Sequence, residues 1–335
     1  MPEVETKPGK SVRSGVRAVG RLQAQYPIAQ VVCLAAIFAY GAATLTDFTS
    51  RLGIYSMLVI ASLLGMAASG QTLVVLIGGV DLSIAGWIAA GSSADVQLTG
   101  VDHWPFIAVL AVVLAVAAVI GALTGYVAHR FNVHPLIVTL AVGSIVGGAV
   151  LVWTKGFITG SPQLWLKNLS SPAGTTFGLQ FPPVVLIWAA TAILVGVVLR
   201  RTVVGRRLYA TGANPAAAEF ALVNTRRIWM GCFAASAILS TCTGILLAGF
   251  AGGADTTLGQ PYLFESLTAV IVGGTAFGAI GDYSRTVIAA LLLTVLTTVL
   301  IGNGLTAPEQ QVVFGVLIFV FVAFYGRESR LRDRV

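Results

Sequence analysis

The sequence predicts an all-α polytopic membrane protein of about ten transmembrane helices, with broken helices near 78–83 and 273–278. Three observations predict it. Of 335 residues, 56% are apolar and only 10% charged, and the mean hydropathy is +0.89; a soluble domain carries about 25% charged residues. The apolar residues fall in runs close to the roughly 20 that cross a hydrocarbon core. The basic residues gather in alternate connections between those runs, as topology in a membrane requires.

The first element is a basic arm, 1–26, carrying Lys7, Lys10, Arg13, Arg17 and Arg21. The apolar run that follows it has no small-residue cleavage site after it and many further spans, so it reads as a span and not a signal peptide. Apolar windows then place spans at 27–46, 53–77, 83–99, 105–127, 135–153, 183–200, 228–251, 263–280, 286–303 and 309–325. Window 83–99 is short and rich in Ser and Gly, and 263–280 carries Glu265. Residues 27–326 form one transmembrane domain, and 327–335 a basic tail.

Ten spans put both termini on one side. That side receives 17 of the 20 Lys and Arg residues; Arg51, Lys155 and Lys167 fall opposite. Positive residues stay in the cytoplasm, so both termini and the 200–227 loop are expected there. Topology thus accounts for the net charge of +7. Lipid is the implied environment, and no nucleic-acid partner is needed. Cys33, Cys232 and Cys242 lie in apolar runs without metal or redox spacing. The long outward loop 154–182 carries Phe157, Trp165 and Phe181. It reads equally as a cover over a pore mouth and as a connection with interfacial aromatics.

The stretch LIGGVDLSIAG, 76–86, interrupts an apolar run. Irregular backbone at membrane depth is tolerated where protein buries it or a watery cavity lines it. Gly78 and Gly79 mark a break, and Asp81 and Ser83 suit the N-cap of the helix that follows. Two readings stay open for Asp81: a cap near the cytoplasmic face, or part of a hinge or pathway. A second break echoes the first. VLIGGV (75–80) and VIVGGT (270–275) share an apolar run, a Gly pair and a β-branched residue, which makes Gly273, Gly274 and Thr275 candidates. Glu265 opens the eighth span, as a cap or facing a vestibule.

In the 200–227 loop, Gly212 precedes Asn214, Pro215 and then Ala216, Ala217, Ala218 and Glu219. Asn, then Pro, then an alanine run is a helix start. A short helix flanked by arginines suits a soluble partner, or an interfacial position on lipid headgroups.

Three motifs now carry a resemblance. GGVDLSIAG resembles GGIDLSVG, LYATGANPAAAEFALVNTRRI resembles YA-hGGNPEAARLSGI, and YLFESLTAVIVGGTAF resembles YELDAIAAVVIGGTS, in order over about 50–326. Together these are similar to the permease subunits of carbohydrate-importing ABC transporters, the ribose-type branched-substrate family. The resemblance implies two permease subunits per pore (identical or related), two ATPase subunits, and a periplasmic or lipid-anchored sugar-binding protein. It also implies that segment 201–227 couples to the ATPase, through 212–224. This chain departs from the pattern at Ala85, at Leu222–Val223–Asn224, at Glu265 and in GAIGDYSR.

The sequence holds no G-x-x-x-x-G-K-[ST], so no P-loop binds ATP and energy must come from a partner or an ion gradient; the resemblance implies the partner. The chain is expected to be a transporter subunit without catalysis, cofactor or metal of its own. The interior candidates Gln71, Thr72, Thr139, Ser144, Thr268 and Asn303 are neutral, which suits a hydroxyl-rich solute better than an ion. Branched-chain amino acids or nucleosides remain alternative cargoes. An ion-coupled transporter or channel would call for a deep titratable pair, and Asp81 and Glu265 read as lying near opposite ends. His103, His129 and His134 fall in or beside loops and make no recognisable catalytic set.

Overall fold

The computed structural model describes residues 27–275, 278 and 281–332, the last twelve by backbone alone. The basic arm 1–26, positions 276 and 277 of the second break and the end of the tail, 333–335, lie outside the described residues. Among the described residues all helices and strands reduce to thirteen helices and one isolated bridge between Thr176 and Leu179.

In chain order the helices are α1 Ile28–Thr44, α2 Arg51–Leu76, α3 Ile84–Ala94, α4 Phe106–Arg130, α5 Pro135–Thr154, α6 Leu164–Ser170, α7 Pro183–Arg201, α8 Val203–Ala213, α9 Pro215–Phe220, α10 Thr225–Ala251, α11 Gln260–Val272, α12 Tyr283–Gly302 and α13 Ala307–Arg332. A π-helical turn, Asp95–Val101, extends α3. Among the described residues, six helices are long and apolar enough to cross a membrane: α2, α4, α5, α7, α10 and α12. The windows expected at 83–99 and 263–280 hold shorter pieces, because α3 gives way to the π-helical turn and α11 stops at Val272. Helix α13 runs past the expected span end to Arg332.

Helix starts follow local chemistry. The Ser50 hydroxyl accepts from Gly53 N at 3.1 Å to cap α2, and the Asn224 side chain accepts from Arg227 N at 3.0 Å to cap α10. Proline sits in the first turn of α5 and α7, where its missing N–H costs nothing. Gly252, at φ 75°, closes α10 in the left-handed conformation.

Helices α2 and α10 are the buried centre, and α4, α5 and α7 stand around them with most of their surface outward. Ile107 and Val119 on α4, Ile145 and Val152 on α5, and Ile193 on α7 are exposed apolar side chains suited to lipid. The centre is held by close backbone approach. A Cβ on Gly70 of α2 would stand 2.7 Å from Ser236 Cα of α10. On Gly121 and Gly125 of α4 it would stand 2.7 and 2.6 Å from the carbonyl oxygens of Phe233 and Trp229. Helices α3 and α10 interlock reciprocally, Gly91 against the Thr241 carbonyl and Gly244 against the Ile88 carbonyl. Lipid gives helices no hydrophobic reason to associate, so small residues that admit close packing supply it.

This packing makes a prediction. Gly244→Leu forces a side chain onto the Ile88 backbone and is expected to cost about 1–3 kcal/mol or more. Gly231→Ala, on the same helix with nothing within 4 Å of the added carbon, is expected to be neutral or slightly stabilising. Thermal unfolding of the two variants in detergent, read side by side, checks this.

Candidate functional site

The two breaks have the same backbone design. After α2, Gly78 takes φ 88°, its N–H donates to Val75 O at 3.0 Å, and Gly79 N donates to Val74 O at 2.9 Å. After α11, Gly274 takes φ 83°, its N–H donates to Ile271 O at 2.9 Å, and Thr275 N donates to Val270 O at 3.1 Å. Both are Schellman caps with the left-handed glycine just past the helix end. The register differs from that of the sequence echo by one residue. The first glycine of the pair turns the chain at 78, and the second glycine does so at 274. Gly79 and Gly273 keep negative φ.

Asp81 is buried, 1% exposed, and not at an open face. Its Oδ1 accepts from Ser83 N at 2.8 Å and from Ser83 Oγ at 2.6 Å. Asp81 therefore ties the entry to α3, while Ser83 spends its hydroxyl on Asp81 and makes no side-chain cap bond to the helix. The Ser236 hydroxyl is also close by, without a bond of good geometry. Helix α5 braces this break: Thr139 Oγ1 donates to Val80 O at 3.2 Å, and a Cβ on Gly143 would stand 3.0 Å from Leu82 O.

The second break is braced from three directions. Gln30 Nε2 of α1 donates to Val272 O at 2.8 Å. Tyr209 of α8 donates its hydroxyl to Gly281 O at 2.9 Å. Arg200, near the end of α7, pairs with Asp282 and donates to Ser284 Oγ at 3.1 Å. Burial first, then the Asp282 carboxylate, raises the pKa of the Tyr209 phenol, so it stays a donor at physiological pH. Gly278, at φ 85°, approaches α8 so closely that a Cβ would lie 3.1 Å from Gly212 O.

The helix start expected in the 200–227 loop is present. Asn214 Oδ1 accepts from Ala217 N at 3.0 Å, Pro215 is in the first turn, and α9 runs to Phe220. Gly212 belongs to the preceding helix, α8, because the chain is already helical from Val203. Ala218 packs inward, while Pro215, Ala216, Ala217 and Glu219 are exposed. Glu219 Oε1 accepts from Thr225 Oγ1 at 2.6 Å, and Thr225 Oγ1 lies 2.9 Å from His129 Nε2. One hydroxyl carries one proton, so when it goes to Glu219 the imidazole must be the donor to Thr225. This chain of bonds pins α9 to the ends of α4 and α10. Phe220 at the end of α9 and Leu222 just past it are 91% and 92% exposed.

The structure sorts the other candidates. Glu265 is the sixth residue of α11, one and a half turns in, so it does not cap that helix, which starts earlier at Gln260. Thr72 bonds Ala68 O and Thr286, Thr268 bonds Phe264 O, and Asn303 bonds Val299 O. Ser144 is on the exposed side of α5. Gln71 differs: it is fully buried, and neither amide atom has a partner among the described residues. His103 and His134 join no cluster with His129. Gln30, Tyr209, Arg200 and Asp282 were not foreseen, since nothing local marks a side chain that reaches a distant carbonyl or ion partner. The close approach of α4 to α10 had a readable signal in the G-x-x-x-G of residues 121–125.

A network near the second break offers a test. Tyr283 donates its hydroxyl to Gly65 O at 2.7 Å and accepts from Trp188 Nε1 at 3.0 Å, all within the buried interior. Tyr283→Phe strands the buried indole N–H of Trp188, with an expected cost of about 1–3 kcal/mol. A lower unfolding temperature with unchanged expression in the membrane checks it.

Comparison with known proteins now adds to this geometry. The family model described as branched-chain amino acid transport system / permease component matches residues 53–323. The ribose import permease protein of Bacillus subtilis is 30% identical over 289 residues, 84% of this chain and 87% of that protein. The ribose import permease protein of Haemophilus influenzae is 29% identical over 279 residues, 82% and 85% of the two chains. The fructose import permease protein of Rhizobium meliloti is 28% identical over 305 residues, 88% and 83%. No solved structure matches. The family match takes in both breaks, α8, α9 and all six long apolar helices, and the chain is a multi-pass membrane protein that belongs to the branched-chain amino acid transport system permease family.

Proposed function

We propose that the chain is the membrane-spanning subunit of an ATP-driven importer that moves a pentose- or hexose-type sugar. One observation carries the mechanism. The second break bonds to α8, and α8 leads directly into the exposed helix α9. A push on α9 thus has a short, hydrogen-bonded route to backbone deep in the protein. The sugar assignment is supported by relatives of 28–30% identity named for ribose and fructose import. The uncharged polar groups of the interior, with Gln71 the buried amide left over, are consistent with a hydroxyl-rich solute, and the buried carboxylates Asp81 and Asp95 stand beside them.

In this reading a separate ABC ATPase binds the nucleotide and docks on Phe220, Leu222 and the outer side of α9. A periplasmic or lipid-anchored binding protein delivers the sugar, and a second permease subunit, identical or related, completes the pore. The chain crosses a bacterial inner membrane ten times, with α1, the α3 segment, α11 and α13 joining the six long helices and both termini cytoplasmic. No reaction is catalysed by the chain itself. The family description favours branched-chain amino acids as the second cargo reading.

The test is ATP hydrolysis by the complex reconstituted with its ATPase and binding protein, over a panel of sugars and branched-chain amino acids. One sugar is expected to raise hydrolysis. Pro215→Gly with Ala217→Asp is expected to abolish that rise, and Tyr209→Phe to reduce it several-fold, with folded yield unchanged in both. Stimulation by leucine or isoleucine but no sugar moves the cargo to the second reading. Flux that follows an ion gradient, with no associated ATPase, sinks the importer reading.

A further inference from the structure

A groove of about 450 Å³ opens between α7 and α12, and no part of the proposed transport cycle uses it. Its walls are almost wholly apolar, formed by Ile193, Gly196, Val197 and Val287, and Arg200 and Arg201 stand where α7 ends. Ile193 is 67% exposed, and a Cβ at Gly196 would meet nothing within 4 Å. The missing side chain at Gly196 leaves a furrow along a helix face that otherwise meets lipid.

The two arginines are in different states. Arg200 is committed to Asp282 and Ser284. Arg201 is exposed and makes no hydrogen bond or ion pair among the described residues. Arg200 and Asp282 cancel, so the mouth of the groove keeps the positive charge of Arg201. Apolar walls at bilayer depth below a cation at the interface match one chemistry, an acyl chain below an anionic headgroup. A free anion would gain nothing from the walls, and a zwitterionic lipid brings its own cation beside the phosphate, which weakens the pairing with Arg201.

We propose that this groove binds one anionic phospholipid, its acyl chain laid along Gly196 between Ile193 and Val287 and its phosphate at Arg201. The groove floor includes Asp282 and Tyr283, so the bound lipid braces the second break from the membrane side. The inference needs α7 to span the bilayer and is independent of the cargo.

The test is native-state mass spectrometry of the full chain in mild detergent, incubated with phosphatidylglycerol or phosphatidylcholine. Wild-type protein is expected to retain phosphatidylglycerol over phosphatidylcholine. Arg201→Gln is expected to weaken phosphatidylglycerol about fivefold. Gly196→Leu, which fills the furrow, is expected to cut retention further, and Arg207→Gln, off the groove, to change nothing. Millimolar inorganic phosphate should not displace the lipid. Equal retention of both lipids, an unchanged Arg201→Gln, or displacement by phosphate overturns the proposal. Efficient cross-linking of two Ile193→Cys chains also overturns it, because a second copy then fills the groove. If Gly196→Leu lowers folded yield, the exposed Arg201→Gln substitution decides alone.

Discussion

The rest of the structure depends on how closely helices approach α10. In hydrocarbon the apolar side chains of two helices lose nothing by facing lipid, so association must come from contact at short range. Glycines of α2, α3 and α4 bring those helices to α10 at backbone distance, and Gly244 of α10 returns the approach toward α3. The rigid centre this creates is why broken backbone can exist beside it. Each break hangs on a helix fixed at its other end, and protein groups meet the polar atoms that lipid would leave bare.

The two breaks share a cap but not their surroundings. The first is closed within the bundle, with buried Asp81 serving Ser83 and α5 lying against it. The second is held from outside the bundle core, by α1, by the end of α7 and by α8. A tether to α8 is also a tether to whatever grips α9. In the importer reading proposed above, the first break takes a static part and the second is the connection through which an external force arrives. The His129–Thr225–Glu219 chain keeps α9 from moving independently of α4 and α10, so such a force reaches the bundle at two places.

Much of this was legible in the residues. The apolar windows locate the long helices because 20 residues of such composition have no stable alternative in lipid. The Asn214–Pro215 start is legible because an N-cap is a local interaction between neighbours. Positions of the two glycine pairs were visible, but not which glycine turns the chain, since that depends on where each preceding helix stops. Of the two readings of Glu265 the cap falls for a related reason: α11 begins at Gln260, before the apolar window does. The bonds from Gln30, Tyr209 and Tyr283 span 242, 72 and 218 residues. Contacts of that separation are set by the fold as a whole and leave no mark in any short stretch.

The brevity of α3 and α11 bears on how the protein is made. Eleven and thirteen residues extend about 16 and 20 Å at 1.5 Å per residue, well short of the roughly 30 Å hydrocarbon core. Neither can partition into a bilayer alone as a complete crossing. Helix α3 reaches farther only through the π-helical turn that extends it, and α11 lies packed against α12. Chain direction then sets an order: α2 and α3 pack on α10 rather than on each other, so both wait for it to be translated before Gly70 and Gly91 find their partner. During that wait the first half of the protein is an unfinished membrane protein, and its survival depends on the quality-control capacity of the cell as much as on its own sequence.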